Sequence, residues 1–253
     1  MIVWETVLVA LSMFSAVPVP AVSWNERNMR FCLCAFPLVG LLAGLCCAGW
    51  WQLCLLLSLP AVLRGAGLTL LPVLVTGGIH LDGFADTCDA LSSRAGTEKR
   101  QEILKDPHLG AFAVIHLCMY FIAAFALCTA MRQGRLLVFC AVFGLSRSLS
   151  GLALTMFPLR PGSGLARQFA DAADRKTVRG VLLALSVLFA VILCCSGMVL
   201  APAAAFAVFL YYRRLCVREF GGLSGDLAGW FVQKAELWML AAAVLTQYGE
   251  AML

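Results

Sequence analysis

Residues 31–63 read FCLCAFPLVGLLAGLCCAGWWQLCLLLSLPAVL and contain no Asp, Glu, Lys or Arg. About 20 apolar residues in a helix cross the hydrocarbon of a bilayer, so an uncharged stretch of this length is typical of a membrane protein. The whole chain has the same character, because 62% of its 253 residues are hydrophobic, 13% are charged and the mean hydropathy is +0.90. We therefore predict an all-α fold, a polytopic integral membrane helical bundle.

Further apolar stretches define the other candidate crossings. Residues 109–131 suffice for one crossing, whereas residues 31–63 and 180–212 each suffice for a tight hairpin of two short ones. Shorter candidates lie at residues 3–19, 65–76, 136–157 and 237–247. The total is about seven to nine spans or half-spans. No linker, charge block or repeat divides the chain, so we predict one membrane domain over residues 1–253.

Basic residues are concentrated in a few polar connections. Most Lys and Arg lie in four ranges: 24–30, 82–108, 160–179 and 213–219. The turns at residues 48–51 and 195–203 carry no charge, and the short RQGR at residues 132–135 is the one exception. Because basic loops favour the cytoplasmic side, we expect the polar connections, and any active site among them, at the cytoplasmic helix ends.

An acidic cluster lies in GGIHLDGFADTCDAL, residues 77–91. In a helix that begins at about residue 80, Asp82, Asp86 and Asp89 fall at i, i+4 and i+7 and share one face. Neighbouring carboxylates about 6 Å apart repel by roughly 3 kcal/mol at an effective dielectric of about 20. A cation is therefore expected to compensate them, and Mg²⁺ prefers such oxygen ligands.

Basic residues follow this cluster in SSRAGTEKRQEILKDPHLGAF, residues 92–112. The segment predicts a helix that begins at about Thr97, as its N-cap, and ends before Pro107. Arg94, Lys99, Arg100 and Lys105 are interleaved with acids, a combination suited to phosphate chemistry because carboxylates hold Mg²⁺ and basic side chains take phosphoryl charge. A solvated helix with ordinary ion pairs remains the alternative.

A second polar segment is REFGGLSGDLAGW, residues 218–230. Its glycines permit close backbone approach, Ser224 offers a hydroxyl group and Asp226 is an isolated acid at the edge of a span. A glycine-rich turn that opens a helix can bind phosphate through its N–H groups, although helix packing through small residues explains the glycines equally well. The expected orientation puts Asp226 on the same side of the membrane as Asp82, so the two segments could form one site.

Several classes of function are disfavoured by composition. The twelve cysteines include no CxxC pair and lie mostly in apolar stretches, so we interpret them as reduced, buried fillers. The net charge of +5 is explained by loops beside anionic lipid, and no aromatic-basic pattern indicates nucleic acid. No Ser-His-Asp or Cys-His arrangement is visible, which argues against a covalent nucleophile.

Four segments together resemble one family. FSAVPVPAVSWNERNMRFCLCAFPLVGLLAG, TGGIHLDGFADTCDAL, RQEILKDPHLGAFAV and GGLSGDLAG, in this order and spacing, are similar to cobalamin synthases, the adenosylcobinamide-GDP ribazoletransferases. The resemblance covers nearly the whole chain. Only the basic, glycine-containing loop in residues 156–172 is matched by its general position alone.

The resemblance implies the last assembly step of cobalamin in a bacterial inner membrane. The family joins adenosylcobinamide-GDP to α-ribazole or its 5′-phosphate, with Mg²⁺, and releases GMP. A ribazole hydroxyl group attacks phosphorus, so the reaction depends on positioning and charge neutralisation. The partners implied are these small molecules and the lipid bilayer. A homo-oligomer or an association with other enzymes of the pathway stays open.

The combined interpretation gives each candidate residue a role. Asp82, Asp86 and Asp89 are expected to bind Mg²⁺, and Asp226 completes the metal site or holds a second ion. Lys105 neutralises the diphosphate, while Asp106 either orients Lys105 or acts as the general base. The remaining candidates are His80 as the other base, Arg94 and Arg100 as phosphate contacts, and Ser224 and Gly225 as substrate-binding residues.

Two other classes of protein remain as alternatives. CDP-alcohol phosphotransferases also place several aspartates on adjoining helix ends, but their DGxxAR opening is absent, since Phe84, Ala85 and Asp86 follow the Asp-Gly pair. A cation-coupled transporter would use acids near the midplane of the membrane, and Arg64 and Arg147, both in apolar surroundings, best serve that alternative.

Overall fold

The computed structural model describes residues 2–249, and within them the chain is helical with no β-strand. The confirmed all-α architecture consists of α1 (Ile2–Phe14), α2 (Glu26–Met29), α3 (Cys32–Leu56), α4 (Ala61–Thr76), α5 (Ile79–Ser92), α6 (Thr97–Ile103), α7 (Ala111–Ala130), α8 (Leu136–Met156), α9 (Leu165–Ala172), α10 (Arg175–Cys195), α11 (Leu200–Phe220) and α12 (Gly225–Gly249).

Five of these helices, α3, α7, α8, α10 and α11, are long and apolar enough to cross a membrane, and the bent pair α4–α5 brings the number to six within residues 2–249. Counting α4 and α5 separately gives seven spans or half-spans, and adding α1 and the 25-residue α12 gives nine, so the count falls within the predicted seven to nine. The polytopic membrane bundle is confirmed.

One predicted hairpin is right and the other is wrong. Residues 180–212 form the pair α10 and α11, joined by a short turn, as expected. Residues 32–56 instead form one helix, α3, which continues through the proposed turn at residues 48–51, and residues 61–63 already belong to α4. The physical reason is packing along α8: a Cβ at Gly44 would lie 2.6 Å from Cys140 Cα, and buried Trp51 contacts Phe139.

A charged pair is buried in this bundle. Arg147 on α8 is completely buried and forms an ion pair with Glu236 on α12, while Ser146 Oγ donates a hydrogen bond of 2.7 Å to Glu236 Oε1. Gly40 on α3 lies against α8 at this level. Arg64, the other intramembrane arginine, stacks its guanidinium 4.4 Å from the centre of the Trp51 ring. Both arginines thus have structural partners.

Replacing Glu236 by Ala is expected to destabilise the protein strongly. The substitution leaves Arg147 charged and unpaired in the bundle, which costs about 3–5 kcal/mol, or roughly 10 °C in Tm for a chain of this size. Thermal unfolding in detergent measures the effect. The double variant Arg147→Met/Glu236→Met should recover most of the loss, because both charges are then gone; a single variant with the wild-type Tm would contradict the assignment.

The bend between α4 and α5 determines the direction of α5, the helix that carries the aspartates. Gly77 and Gly78 adopt left-handed conformations, with φ of 63° and 80°, which glycine alone accepts without strain. The two helices consequently meet at 97°. Val75 O accepts a 2.8 Å hydrogen bond from Ala16 N, which fixes the bend against the segment that follows α1. As predicted, the helix with the aspartates begins close to residue 80.

Candidate active site

Two glycines bring the acidic segments together. A Cβ at Gly83 on α5 would lie 2.7 Å from Asp226 Cα, and one at Gly229 on α12 would lie 2.7 Å from His80 O. The backbones of α5 and α12 therefore touch, as small residues permit at helix crossings. Because Asp82 precedes one glycine and Asp226 starts the opposing helix, the crossing places both acids at one cavity.

Two loops close the site from another side. The segment after α8 pairs with the turn between α11 and α12 through an isolated parallel bridge, Leu159 with Leu223. Arg160 N donates to Leu223 O at 3.0 Å, and Leu223 N donates to Pro158 O at 2.8 Å. A Cβ at Gly222 would lie 2.5 Å from Arg160 N, so this contact requires glycine. The bridge carries Arg160 to the cavity that also holds Asp226.

The cavity has a volume of about 350 Å³, within the usual range for small-molecule sites. Its lining combines acidic residues, one arginine and apolar residues. The lining includes the predicted Asp82, Asp226, His80, Ser224 and Gly225, together with Arg160, Ser163 and Ser150, which were not predicted. Five of the predicted site residues thus share one cavity.

A serine at the N-terminus of α12 fixes the position of Asp226 in the first turn of that helix. Ser224, buried at the start of the helix, accepts a 3.5 Å hydrogen bond from Leu227 N and donates one of 3.3 Å to Asp226 Oδ2. A serine in this position is a favoured helix cap. Ser224 therefore positions Asp226 in the structure, in addition to its predicted place beside the substrate.

The carboxylates of α5 and α12 form an electrostatic cluster. Asp82 is exposed, Asp86 is half-buried, and both interact electrostatically with Asp226. Within residues 2–249, however, no group of three or more acidic, His or Cys side chains has preformed metal-binding geometry. The donor set still fits Mg²⁺, which commonly keeps several waters and binds through one or two carboxylates plus substrate phosphates.

Asp89 has a second partner in the structure. Its Oδ1 accepts a 3.2 Å hydrogen bond from Ala113 N, in the first turn of α7. The carboxylate also occupies the space where a Cβ of Gly110 would be, which explains why the residue before α7 is glycine. A carboxylate satisfies free N–H groups and the positive end of the helix dipole here. Its predicted role as a metal ligand stays a prediction.

Replacing Asp89 by Asn separates these roles. The amide keeps an oxygen for Ala113 N, so the helix cap should persist and the Tm should fall by less than about 3 °C. If Asp89 also binds the metal, the same variant loses activity by about 10²-fold or more. The Tm and the rate of GMP release from adenosylcobinamide-GDP are measured on one preparation. Together they show whether Asp89 only caps α7 or also binds the metal. A collapse of Tm to that of Asp89→Ala would contradict the proposed hydrogen bond.

Lys105 and Asp106 lie on an exposed loop after α6, outside the residues that line the cavity. Asp106 Oδ1 accepts a 3.0 Å hydrogen bond from His108 N and lies 2.7 Å from His108 Nδ1. These contacts lower the pKa of Asp106 below its ordinary value, which weakens it as a base near neutral pH. Of the two predicted bases, His80 alone borders the cavity, and its Nδ1 has no hydrogen-bond partner among the described residues.

The two predicted arginines differ in their surroundings. Arg94 is exposed in the connection between α5 and α6, with φ of 52°. Arg100 is largely buried and forms an ion pair with Glu219 on α11. Its neighbour Gln101 donates a 2.8 Å hydrogen bond from Nε2 to Phe220 O. Arg100 thus helps to attach α6 to α11. The N-cap predicted at Thr97 is wrong by one residue: Gly96 is the cap, and Thr97 is the first helical residue.

Sequence reasoning missed Arg160, Ser163 and Ser150. Arg160 and Ser163 belong to RPGSG, residues 160–164, in the loop where only a general basic, glycine-containing character was noted. A basic residue next to two glycines before a helix was the available signal. Ser150 lies within the apolar α8, and nothing in its local sequence distinguishes it from a packing serine.

Known proteins are similar to this chain over most of its length. A family model described as cobalamin-5-phosphate synthase matches residues 6–244. A protein of Lachnoclostridium phytofermentans is 37% identical over 247 residues, covering 94% of this chain and 93% of its own. One of Pseudomonas putida is 37% identical over 242 residues, covering 94% and 97%, and one of Clostridium botulinum is 30% identical over 249 residues, covering 96% and 98%.

All three relatives bear the name adenosylcobinamide-GDP ribazoletransferase. No solved structure shows significant similarity to the chain. The family match includes every residue that lines the cavity. The chain therefore belongs to the cobalamin-5-phosphate synthase family.

Proposed function

We propose that this protein joins adenosylcobinamide-GDP to α-ribazole or its 5′-phosphate and releases GMP. The observation that carries the proposal is the meeting of Asp82 and Asp226 at one cavity, through the glycine contacts of α5 and α12. Relatives that match over nearly their whole length bear the name of this activity, which supports it. A site of paired carboxylates beside a buried arginine suits the transfer of a phosphoryl group.

The reaction forms one bond and breaks one. A hydroxyl oxygen of the ribazole attacks the phosphorus on the cobinamide side of the diphosphate, and the bond from that phosphorus to the oxygen bridging to GMP breaks. The hydroxyl proton leaves to a base, for which the position of His80 at the cavity gives the better support. Lys105, Arg94 and Arg100 do not line the cavity, so the loops that hold Lys105 and Arg94, and the helix α6 that holds Arg100, would have to approach it to meet the diphosphate as predicted.

We further propose that the enzyme depends on Mg²⁺, held by Asp82 and Asp226 with Asp86 beside them. When bound, the ion would neutralise charge on the phosphoryl oxygens. The carboxylates repel one another without a cation, and none of the three is paired with Lys or Arg within 4 Å in residues 2–249. That unsatisfied charge supports a cation at this position.

The orientation in the membrane is also a proposal. Contacts between polar connections indicate that they share one end of the bundle: Arg30 pairs with Asp174 at 2.7 Å, Arg100 pairs with Glu219, and Leu159 bridges Leu223. These connections hold most of the Lys and Arg, so the positive-inside tendency places them, and the cavity, on the cytoplasmic side of a bacterial inner membrane.

Exchange of substrates tests the proposal against its rival. Purified protein is given either adenosylcobinamide-GDP with α-ribazole 5′-phosphate or CDP-diacylglycerol with an alcohol acceptor, and products are identified by mass. We expect adenosylcobalamin 5′-phosphate from the first pair and no product from the second. Turnover of CDP-diacylglycerol alone would replace the proposal with a CDP-alcohol phosphotransferase.

A further inference from the structure

Three buried polar side chains at one cavity have atoms without partners. Arg160, Ser163 and Ser150 are only 4%, 7% and 1% exposed, and all three line the cavity that contains Asp82 and Asp226. Arg160 Nε and Nη1, Ser163 Oγ and Ser150 Oγ make no hydrogen bond within the described part of the chain. Buried polar groups are normally paired, so a concentration of exceptions around one cavity indicates a missing ligand.

Arg160 defines the charge of that ligand. It is the only Lys or Arg among the residues that line the cavity, and it has no ion pair within 4 Å among residues 2–249. Asp226 is close enough to interact with it electrostatically but does not contact it. An arginine buried without a partner is costly, whereas its planar group of donors fits phosphate oxygens. The ligand is therefore expected to be an anion.

The N-terminus of α9 borders the same cavity, since Gly164, Leu165 and Ala166 are among the residues that line it. Gly164 is the N-cap of α9 and supplies no side-chain cap. Arg167 N donates to Gly164 O at 3.1 Å, but the N–H groups of Leu165 and Ala166, the first two residues of this eight-residue helix, have no intrahelical partner. Gly162 and Gly164 adopt φ of 74° and 54°, and Ser163 between them is buried beside the cavity. A helix N-terminus next to a buried arginine is a favourable place for a phosphate group.

We propose that residues 160–164 and the N-terminus of α9 form a phosphate-binding subsite, with Arg160 as its principal donor. The inference rests on the proposed function and adds to it a phosphate contact other than Lys105, Arg94 and Arg100. The phosphate is supplied by the diphosphate of the nucleotide substrate or by the 5′-phosphate of the acceptor. In either case the acidic and basic sides of one cavity hold the two reactants near each other.

A thermal-shift measurement tests the subsite without turnover. Wild-type protein and the variants Arg160→Met, Arg160→Lys and Arg167→Met are heated in detergent with Mg²⁺, with and without inorganic pyrophosphate. Pyrophosphate should raise the wild-type Tm by about 5 °C at saturation. Arg160→Met should lose the shift and Arg160→Lys should keep part of it. Arg167→Met is the matched control and should keep the whole shift, because Arg167 is an exposed arginine of α9 that pairs with Asp171 and does not line the cavity.

The Tm measured without pyrophosphate gives a second test of the subsite. Arg160 makes no side-chain hydrogen bond or ion pair, and its burial without one should cost more than its longer-range attraction to Asp226 returns, so Arg160→Met should have a Tm equal to or above that of the wild type. A structural arginine would behave in the opposite way. A lower Tm without pyrophosphate, or a pyrophosphate shift as large as that of the wild type, would overturn the assignment.

Kinetics then identify the source of the phosphate. Arg160→Met should lower kcat/KM by roughly 10- to 100-fold, the usual loss for a charge-assisted hydrogen bond. If Arg160 binds the acceptor's phosphate, the loss appears with α-ribazole 5′-phosphate but not with α-ribazole; if it binds the diphosphate, both acceptors are affected. Wild-type kcat/KM with both acceptors would refute the subsite. Wild-type turnover in the same assay tests the proposed function separately.

Discussion

Replacing Asp82 by Asn is expected to lower the rate of GMP release by about 10³-fold and leave the protein folded. Asp82 is exposed at the cavity, faces Asp226 across the α5–α12 crossing and makes no ion pair within residues 2–249. Asn has the same shape without the charge, so it removes the proposed interaction with Mg²⁺. Loss of one repelling carboxylate should leave the Tm unchanged or slightly higher.

The control for this variant is Glu98→Gln. Glu98 is an exposed acid in the first turn of α6 and lies outside the residues that line the cavity, so the same chemical change there should leave the rate within about twofold. GMP release and thermal unfolding are measured for both variants. If Asp82→Asn retains a near-normal, Mg²⁺-dependent rate, the metal assignment is wrong.

Replacing Gly83 by Ala is expected to give the second large effect. The added methyl group would lie 2.7 Å from Asp226 Cα and O, and backbone atoms of a packed helix cannot rotate away. The helices must separate, at a cost of about 1–3 kcal/mol. A displacement of about 1 Å between Asp82 and Asp226 should lower kcat by about 10²-fold.

Gly180→Ala is the matched control for that variant. Gly180 is also a helical glycine, but a Cβ there has no neighbour within 4 Å, so alanine should raise helix stability slightly and leave activity unchanged. Kinetics and Tm of the two variants are compared directly. Equal behaviour of Gly83→Ala and Gly180→Ala would show that the close crossing of α5 and α12 is not required.

The class of fold was predictable because long uncharged stretches have few alternatives to membrane helices. The position of α5 was also predictable, since two glycines precede a segment with acids at helical spacing. The single long helix α3 was not predictable, because periodicity and length alone cannot distinguish two short crossings from one long helix. Gly44 fits against Cys140 of α8, and that contact is invisible before the helices are packed.

Part of the site was predictable from the types of residue in its motifs. Asp82, His80, Ser224, Gly225 and Asp226 all belong to motifs that stand out in an apolar sequence, and they share the cavity. Side chains that depend on long-range contacts were harder to place. Asp89 also caps α7 and Arg100 pairs with Glu219, and both partners are distant in the sequence.

Arg160 illustrates why the complete site cannot be predicted from the sequence alone. In its local sequence it is one of many loop arginines, and its burial arises only because Leu159 pairs with Leu223, more than 60 residues away. A glycine at residue 222 permits that pairing. The functional meaning of such a residue depends on the bridge between two loops rather than on its own motif.

The measurement that tests the central claim most directly is GMP release by the purified wild-type protein in detergent. It is given adenosylcobinamide-GDP and α-ribazole 5′-phosphate, first with Mg²⁺ and then with EDTA, and each substrate is also omitted in turn. We predict GMP release that requires both the acceptor and the metal. Release that is unchanged in EDTA, or no release from protein shown to be folded by its Tm, would contradict a Mg²⁺-dependent transferase at the crossing of α5 and α12.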